Sequence, residues 1–178
     1  MPLPSDGGAG LTLVIGGARS GKSRYAESLI EAGPQPWIYI ATAEAGDAEM
    51  ADRIAMHRAR RDRRWQTVEA PHDLSSALAA LPGGAAVLVD CLTLWLTNRL
   101  LAEADLDQEM EALEHAVTDH DGVVVLVSND VGSGIVPDNA LARRFRDLQG
   151  TLNQRIAAKA SRVVLMVAGL PLFVKGTP

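Results

Sequence analysis

Leu11 to Ile30 reads LTLVIGGARSGKSRYAESLI, and this order of residue types leaves few ways to fold. Leu11–Ile15 is an unbroken apolar run, the mark of a strand buried on both faces. Glycines follow, and then a stretch from Lys22 with apolar residues at helical spacing. A strand with two buried faces needs helices on both sides, so the chain must be a layered α/β structure with mostly parallel strands. The loop Gly16–Ser23, GGARSGKS, also fits G-x-x-x-x-G-K-[ST]. Such a loop curls its backbone around phosphate oxygens and gives them N–H groups. Gly21, Lys22 and Ser23 then open a helix whose positive end faces the anion. Lys22 is expected to reach the β- and γ-phosphates and Ser23 to coordinate Mg²⁺. The alternative is a ligand-free glycine-rich turn, which the buried strand and amphipathic helix on either side argue against.

More apolar runs repeat the pattern: Trp37–Ala43, Ala85–Asp90, Val123–Ser128 and Arg162–Ala168, with a short last strand at Leu172–Lys175. Helices are expected at 22–32, 47–64, 74–81, 92–120 (broken) and 139–161. Strands alternating with helices imply right-handed crossovers. The last two runs are joined through AGLPLF, too tight for anything but an antiparallel hairpin at the sheet edge. The 178 residues suit one domain. We read 1–10 as a flexible Gly- and Pro-rich tail with no signal-peptide pattern, and 11–178 as a single catalytic domain. Aromatics are only 4%, so the core must rest on aliphatic side chains. The one cysteine, Cys91, allows no internal disulfide and suits the cytoplasm. No apolar run approaches a membrane span.

The run AAVLVD ends in Asp90, an acid at the end of a buried strand, which suits a carboxylate holding Mg²⁺ directly or through water. The competing reading is a cap for the helix starting near Leu92. Against a net charge of -5, residues 52–65 stand out: DRIAMHRARRDRRW holds six arginines and His57. On a helix, Arg53, His57, Arg61 and Arg64 share a face. Cations around an imidazole favour its neutral, nucleophilic form, and the same arginines could hold a triphosphate. A solvated helix face remains an open alternative. Nucleic-acid binding is disfavoured by the short run, the acidic chain and a lone stacking surface, Trp65.

Four segments together, GGARSGKSRYAE, YIATAEAGDAEMADRIAMHRARR, VLVDCLTLWLTN and SNDVGSGIVPDNALARRFRDLQGTLNQRIA, resemble the bifunctional adenosylcobinamide kinase / adenosylcobinamide-phosphate guanylyltransferases of cobalamin biosynthesis. The resemblance runs from about Leu11 to Lys175. It implies an α/β fold of the P-loop NTPase (RecA-like) kind: a mostly parallel sheet flanked by helices, with an antiparallel C-terminal edge hairpin. It also implies two reactions. ATP or GTP phosphorylates adenosylcobinamide, and GTP then donates GMP to that phosphate through a guanylyl-histidine. The matching histidine is His57, the expected nucleophile, with Lys22 as the second catalytic residue. The nucleotide-binding residues implied are Gly16, Gly17, Ala18, Arg19, Ser20, Gly21, Lys22 and Ser23 in the loop. Ala41, Thr42 and Ala43 at the second strand's end, Arg58, Ala59, Arg60 and Arg61 past the histidine, Glu69 for guanine or ribose, and Asp90 complete them. Mg²⁺ would be held by Ser23 and Asp90. The implied partners are adenosylcobinamide, its phosphate and the nucleotides, in a homotrimer, with no nucleic acid.

Asn129, Asp130 and Gly132 follow the fifth strand at the carboxyl edge, where open α/β sheets bind ligands. Relatives often carry Glu where Asp130 stands, and Asp reaches about one methylene less. Arg143, Arg144 and Arg146 face either substrate, a neighbouring subunit or solvent. His72, His115 and His120 read as surface residues. Two other functions stay open on residues alone: a different small-molecule P-loop kinase, with His57 and its arginines as a clamp, and a RecA-like nucleotide-dependent binding module.

Overall fold

The computed structural model describes residues 10–44, 46, 55 and 61–178. The expected tail up to residue 9, His57, and Arg58, Ala59 and Arg60 lie outside them, as does nearly all of the helix expected at 47–64.

The elements run β1 (Gly10–Gly16), α1 (Lys22–Glu31), β2 (Trp37–Ala41), β3 (Trp65–Glu69), α2 (Leu74–Ala79) and β4 (Ala86–Asp90). They continue with α3 (Leu92–Leu101), α4 (Leu106–Thr118), β5 (Val123–Asn129), α5 (Ala140–Lys159), β6 (Arg162–Val167) and β7 (Leu170–Lys175). All the strands join one seven-stranded sheet in the order β3-β2-β4-β5-β1-β6-β7. Every pairing is parallel except β6 with β7. The architecture is therefore the mostly parallel α/β sheet with an antiparallel edge hairpin.

The apolar strands β1, β4 and β5 are buried on both faces because each face carries a helical layer. On one face α1 supplies Ala26, Leu29 and Ile30, which pack on Val14, Leu88, Val125 and Val127. On the other, α2, α3, α4 and α5 pack Leu78, Trp95, Leu113 and Leu152 over Leu13, Ile40, Val87 and Leu126. Trp95 is fully buried, and its Nε1 donates to the His72 carbonyl at 2.9 Å. Truncating a buried Trp to Ala costs about 3–5 kcal/mol.

The helical stretch at 92–120 does break, between α3 and α4. Glu103 sits there at φ 55°, and Asp105 caps α4 by accepting the Gln108 N–H. The Arg99 guanidinium pairs with the Glu109 carboxylate and ties α4 back to α3.

Three expectations need correction. WQTVE forms a strand, β3, that apolar runs did not reveal: at the sheet edge it buries Trp65 but exposes Gln66, Thr67 and Glu69. Arg61–Arg64 is a turn, not the end of a helix, so Arg64 does not share a helical face with His57. The Asp62 carboxylate accepts from the Arg64 N–H and its guanidinium, which folds the turn. Arg64 then lies on the Trp37 ring, at the start of β2 and away from the carboxyl edge. Finally, the hairpin turn is Ala168–Gly169, and Leu170 and Pro171 already belong to β7. Both turn residues have positive φ, 52° and 82°, as a two-residue type I′ turn requires.

Candidate active site

Every strand of the parallel set ends on the same edge, and the sequence-predicted residues among those described gather there. Gly16 closes β1. A Cβ on it would fall 2.4 Å from Ser20 Oγ and 2.9 Å from the Met166 carbonyl, so the loop closes only on glycine. Gly17, Ala18 and Arg19 are exposed, with Arg19 at φ 56°. Gly21 begins α1 at φ 91° and lies against Gly169, whose Cα is 3.3 Å from where a Cβ would be. The Gly169 N–H donates to the Ser20 carbonyl at 3.0 Å. The edge hairpin therefore braces the outer wall of the loop. Lys22 Nζ folds back onto the Gly17 carbonyl at 2.9 Å, across the concavity that the loop encloses. Ser23 stands in the first turn of α1.

Sheet register places the acids. Glu69 pairs with Ala41, and Ala41 pairs with Asp90. These three residues form a row on the α1 side of the sheet, because side chains alternate along each strand. Asp90 pairs with Val127 of β5, and Asn129 of β5 pairs with Gly16. β5 thus separates the strand of the phosphate loop from the strand of Asp90. Asp90 Oδ2 is buried with no hydrogen-bond partner among the described residues. A buried carboxylate oxygen without a donor is costly unless a cation completes it, so Asp90 fits the Mg²⁺ expected beside Ser23.

Thr42 is fully buried, and its hydroxyl is committed. It donates to the Cys91 carbonyl at 2.7 Å and accepts from the Cys91 N–H at 2.8 Å. Asn98 Nδ2 donates to the Thr42 carbonyl. The Thr42 side chain thus sets the spacing between the ends of β2 and β4 and is not left for a ligand. Cys91 beside it has its thiol pushed up to about 11 by burial, with the Asp90 carboxylate adding to the shift.

Arg61 lies flat on Tyr39, its guanidinium carbon 3.4 Å from the ring centroid, and its Nε and Nη1 have no partner among the described residues. A cation stacked on an aromatic face keeps its N–H edge for another acceptor. Burial, with Asp90 next in weight, raises the Tyr39 phenol far above its ordinary value, so Tyr39 stays neutral. Glu69 lines a cavity of about 370 Å³ with Pro71, His72, Asp73 and Ser76. His72 lies at the surface as expected, and its Nε2 is 3.0 Å from the Glu44 carboxylate. His115 is exposed, and His120 Nε2 lies 2.9 Å from the Ala85 carbonyl.

Asp130 uses both carboxylate oxygens within its own loop, accepting from the Gly132 N–H and the Ser133 hydroxyl. Arg143 donates to the Pro137 and Asp138 carbonyls, and Arg146 pairs with Asp147. Asp130 and Arg143 thus shape the loop after β5, whereas the Arg146–Asp147 pair lies within α5 and Arg144 remains exposed. Sequence reasoning missed Thr93, Gln149 and Asn153, which meet at the end of β5 and carry no motif of their own.

Residues 12–174 match the model of the family described as cobinamide kinase / cobinamide phosphate guanyltransferase. The chain is 50% identical over 169 residues to the bifunctional adenosylcobalamin biosynthesis protein CobP of Pseudomonas aeruginosa, covering 93% of this chain and 98% of that one. It is 44% identical over 181 residues to the CobU protein of the same description from Salmonella typhimurium, covering 93% and 99%. Among solved structures it resembles the P4 protein of bacteriophage phi6 in complex with ADP, at TM-score 0.50 and 18% identity. That match covers 96% of this chain and 56% of that one. The flagellar accessory protein FlaH of Methanocaldococcus jannaschii matches at TM-score 0.51 and 11% identity, over 94% of this chain and 79% of that one. These two likenesses concern the fold alone. With the phosphate loop, Asp90 and the sheet order in place, the match over nearly the whole length shows that the chain belongs to the cobinamide kinase / cobinamide phosphate guanyltransferase family.

Proposed function

We propose that the loop Gly16–Ser23 is the one nucleotide site of a bifunctional enzyme of adenosylcobalamin biosynthesis, serving both half-reactions. The observation that carries this reading is the juxtaposition at the carboxyl edge. The loop, the unpartnered Asp90 oxygen and the Glu69–Ala41–Asp90 row all lie on the α1 side of one sheet. In the kinase step the loop amides and Lys22 bind the triphosphate of ATP or GTP, and the aminopropanol hydroxyl of adenosylcobinamide takes the γ-phosphoryl group. Ser23 and Asp90 would hold Mg²⁺, which neutralises charge on the phosphates when bound.

In the second step a His57 nitrogen attacks the α-phosphorus of GTP. An N–P bond forms, the P–O bond to pyrophosphate breaks, and the electron pair leaves on pyrophosphate. A phosphate oxygen of adenosylcobinamide phosphate then attacks the same phosphorus, the N–P bond breaks, and adenosylcobinamide-GDP is released. Arg61, stacked on Tyr39 with its Nε and Nη1 unpartnered among the described residues, is suited to the triphosphate. Arg58, Ala59 and Arg60 complete that segment. Glu69 accepts from guanine N1 and N2 or a ribose hydroxyl. The enzyme is placed in the cytoplasm, consistent with its lone cysteine. It self-associates, with the exposed Leu170, Leu172 and Val174 of the edge strand β7 as the contact.

The test is the split between the two activities. Lys22→Ala should lose both, because both need the triphosphate. His57→Ala should lose guanylylation, by about 10³-fold or more, and keep most of the kinase rate. Loss of both activities in a folded His57→Ala protein would break this division.

A further inference from the structure

β5 is the strand between the phosphate loop and Asp90, and its last residue is held unusually hard. β4 stops at Asp90, opposite Val127, so nothing in the ladder is left to pair the β4-facing edge of Asn129. Side chains take the place of the missing strand. The Asn129 N–H donates to Thr93 Oγ1 of α3 at 2.9 Å. The Asn129 carbonyl accepts from Asn153 Nδ2 of α5 at 3.2 Å. On the other edge the next N–H, that of Asp130, donates to the Gly16 carbonyl at 3.2 Å. Asn153 is itself oriented: its Oδ1 accepts from the Ser128 hydroxyl at 2.6 Å and from Gln149 Nε2 at 3.1 Å. Gln149 Nε2 also donates to Ser128 Oγ, and both residues have no solvent exposure.

A buried polar network of this kind contributes little stability over apolar packing, and what it adds is a fixed position. The position fixed here is that of the Asn129 side chain. Val125 and Val127 pack on the α1 side, so Asn129, two residues on, faces the same side, beside Gly16 and between the loop and Asp90. Its carboxamide makes no hydrogen bond among the described residues. Lys22, the residue that reaches the β- and γ-phosphates in such loops, opens α1 on this same side of the sheet.

We propose that the Asn129 carboxamide donates to the γ-phosphoryl group as it transfers, and that Thr93 and Asn153 are positioning residues that hold Asn129 through its backbone. This rests on the bifunctional reading above. The effect of Asn129 is greatest in γ-phosphoryl transfer, where the bond breaks at the γ-phosphorus; when His57 attacks the α-phosphorus, the γ-phosphate is one bridge removed from the breaking bond. A donor aimed at developing charge acts on kcat more than on KM, and its loss costs about 10²–10³-fold.

The experiment measures, on each variant, the kinase kcat and the KM for the nucleotide with adenosylcobinamide as acceptor. It also measures the rate of protein labelling by α-labelled GTP. Asn129→Ala should lower the kinase kcat about 10²-fold or more, with the nucleotide KM within a few-fold and the labelling rate lowered at least about tenfold less than the kinase kcat. Thr93→Val, which removes the hydroxyl at constant shape, should lower the kinase kcat about tenfold, and Thr93→Ser should restore it. A kinase kcat within threefold of wild type in Asn129→Ala would overturn the proposal, as would an equal loss of labelling. Equal kcat values in Thr93→Val and Thr93→Ser would overturn the positioning role. Wild-type protein lacking both activities would instead sink the functional reading itself.

Discussion

Thr42 and Cys91 show how a site residue can act through the backbone. Thr42 spends its hydroxyl on the N–H and carbonyl of Cys91, so it fixes where Asp90 stands without touching a ligand through its side chain. The Cys91 thiol gives this neighbourhood a pH signature. Burial holds it at about 11 in the folded chain, against 9.0 as the ordinary value. Between those values the folded chain keeps a proton that the unfolded chain has lost, so stability falls as pH rises. The stabilisation is intact below pH 9 and is lost on the way to 11. Thermal unfolding of wild type should therefore steepen its decline with pH in that window, and Cys91→Ala should flatten it. The Tyr39 phenol shifts in the same direction but is present in both proteins, so the difference isolates Cys91. Parallel pH curves would contradict the burial of the thiol.

Among the elements, the β6–β7 hairpin braces the Gly16–Ser23 loop. Gly169 combines a positive φ with an N–H that holds the Ser20 carbonyl of the phosphate loop. A Cβ at Gly169 meets open space, so Gly169→Val is strained by its backbone alone. That costs roughly 1–2 kcal/mol. We expect the variant to unfold at lower denaturant and to bind nucleotide more weakly than this stability loss explains. Unchanged nucleotide affinity would show that the hairpin does not brace the loop. The same elements show what the sequence could disclose. β1 and its loop are legible because the apolar run, the glycines and Lys22 are contiguous. β3 was not, because an edge strand needs only Trp65 and part of Val68 in the core and shows no apolar run. The turn at Arg61–Arg64 was hidden by helical spacing of arginines, and Asp62, which folds it, looked like one more charge. The clamp on Asn129 was invisible: Thr93 lies 36 residues before it and Asn153 24 after, so only the fold brings them together.

The parallel sheet collects the Gly16–Ser23 loop, Glu69 and Asp90 on one edge, and among the described residues α1 packs on one face and four helices on the other. The described residues contain no helix long and apolar enough to cross a membrane. Of the two edge strands, β7 is the one that exposes apolar side chains, with Leu170 70%, Leu172 57% and Val174 65% exposed. An apolar open edge invites pairing unless another chain covers it. Leu172→Lys should lower the mass seen by light scattering while leaving each subunit folded; an unchanged mass would place the contact elsewhere. Whether one phosphate loop runs both phosphoryl and guanylyl transfer is read from the protein incubated with Mg²⁺ and GTP labelled at the α-phosphate. The expected result is an acid-labile, base-stable label on the protein, absent from His57→Ala, absent from Lys22→Ala and not formed from α-labelled ATP. No label on a folded, GTP-binding protein would contradict it and leave a P-loop kinase whose arginines serve only as a clamp.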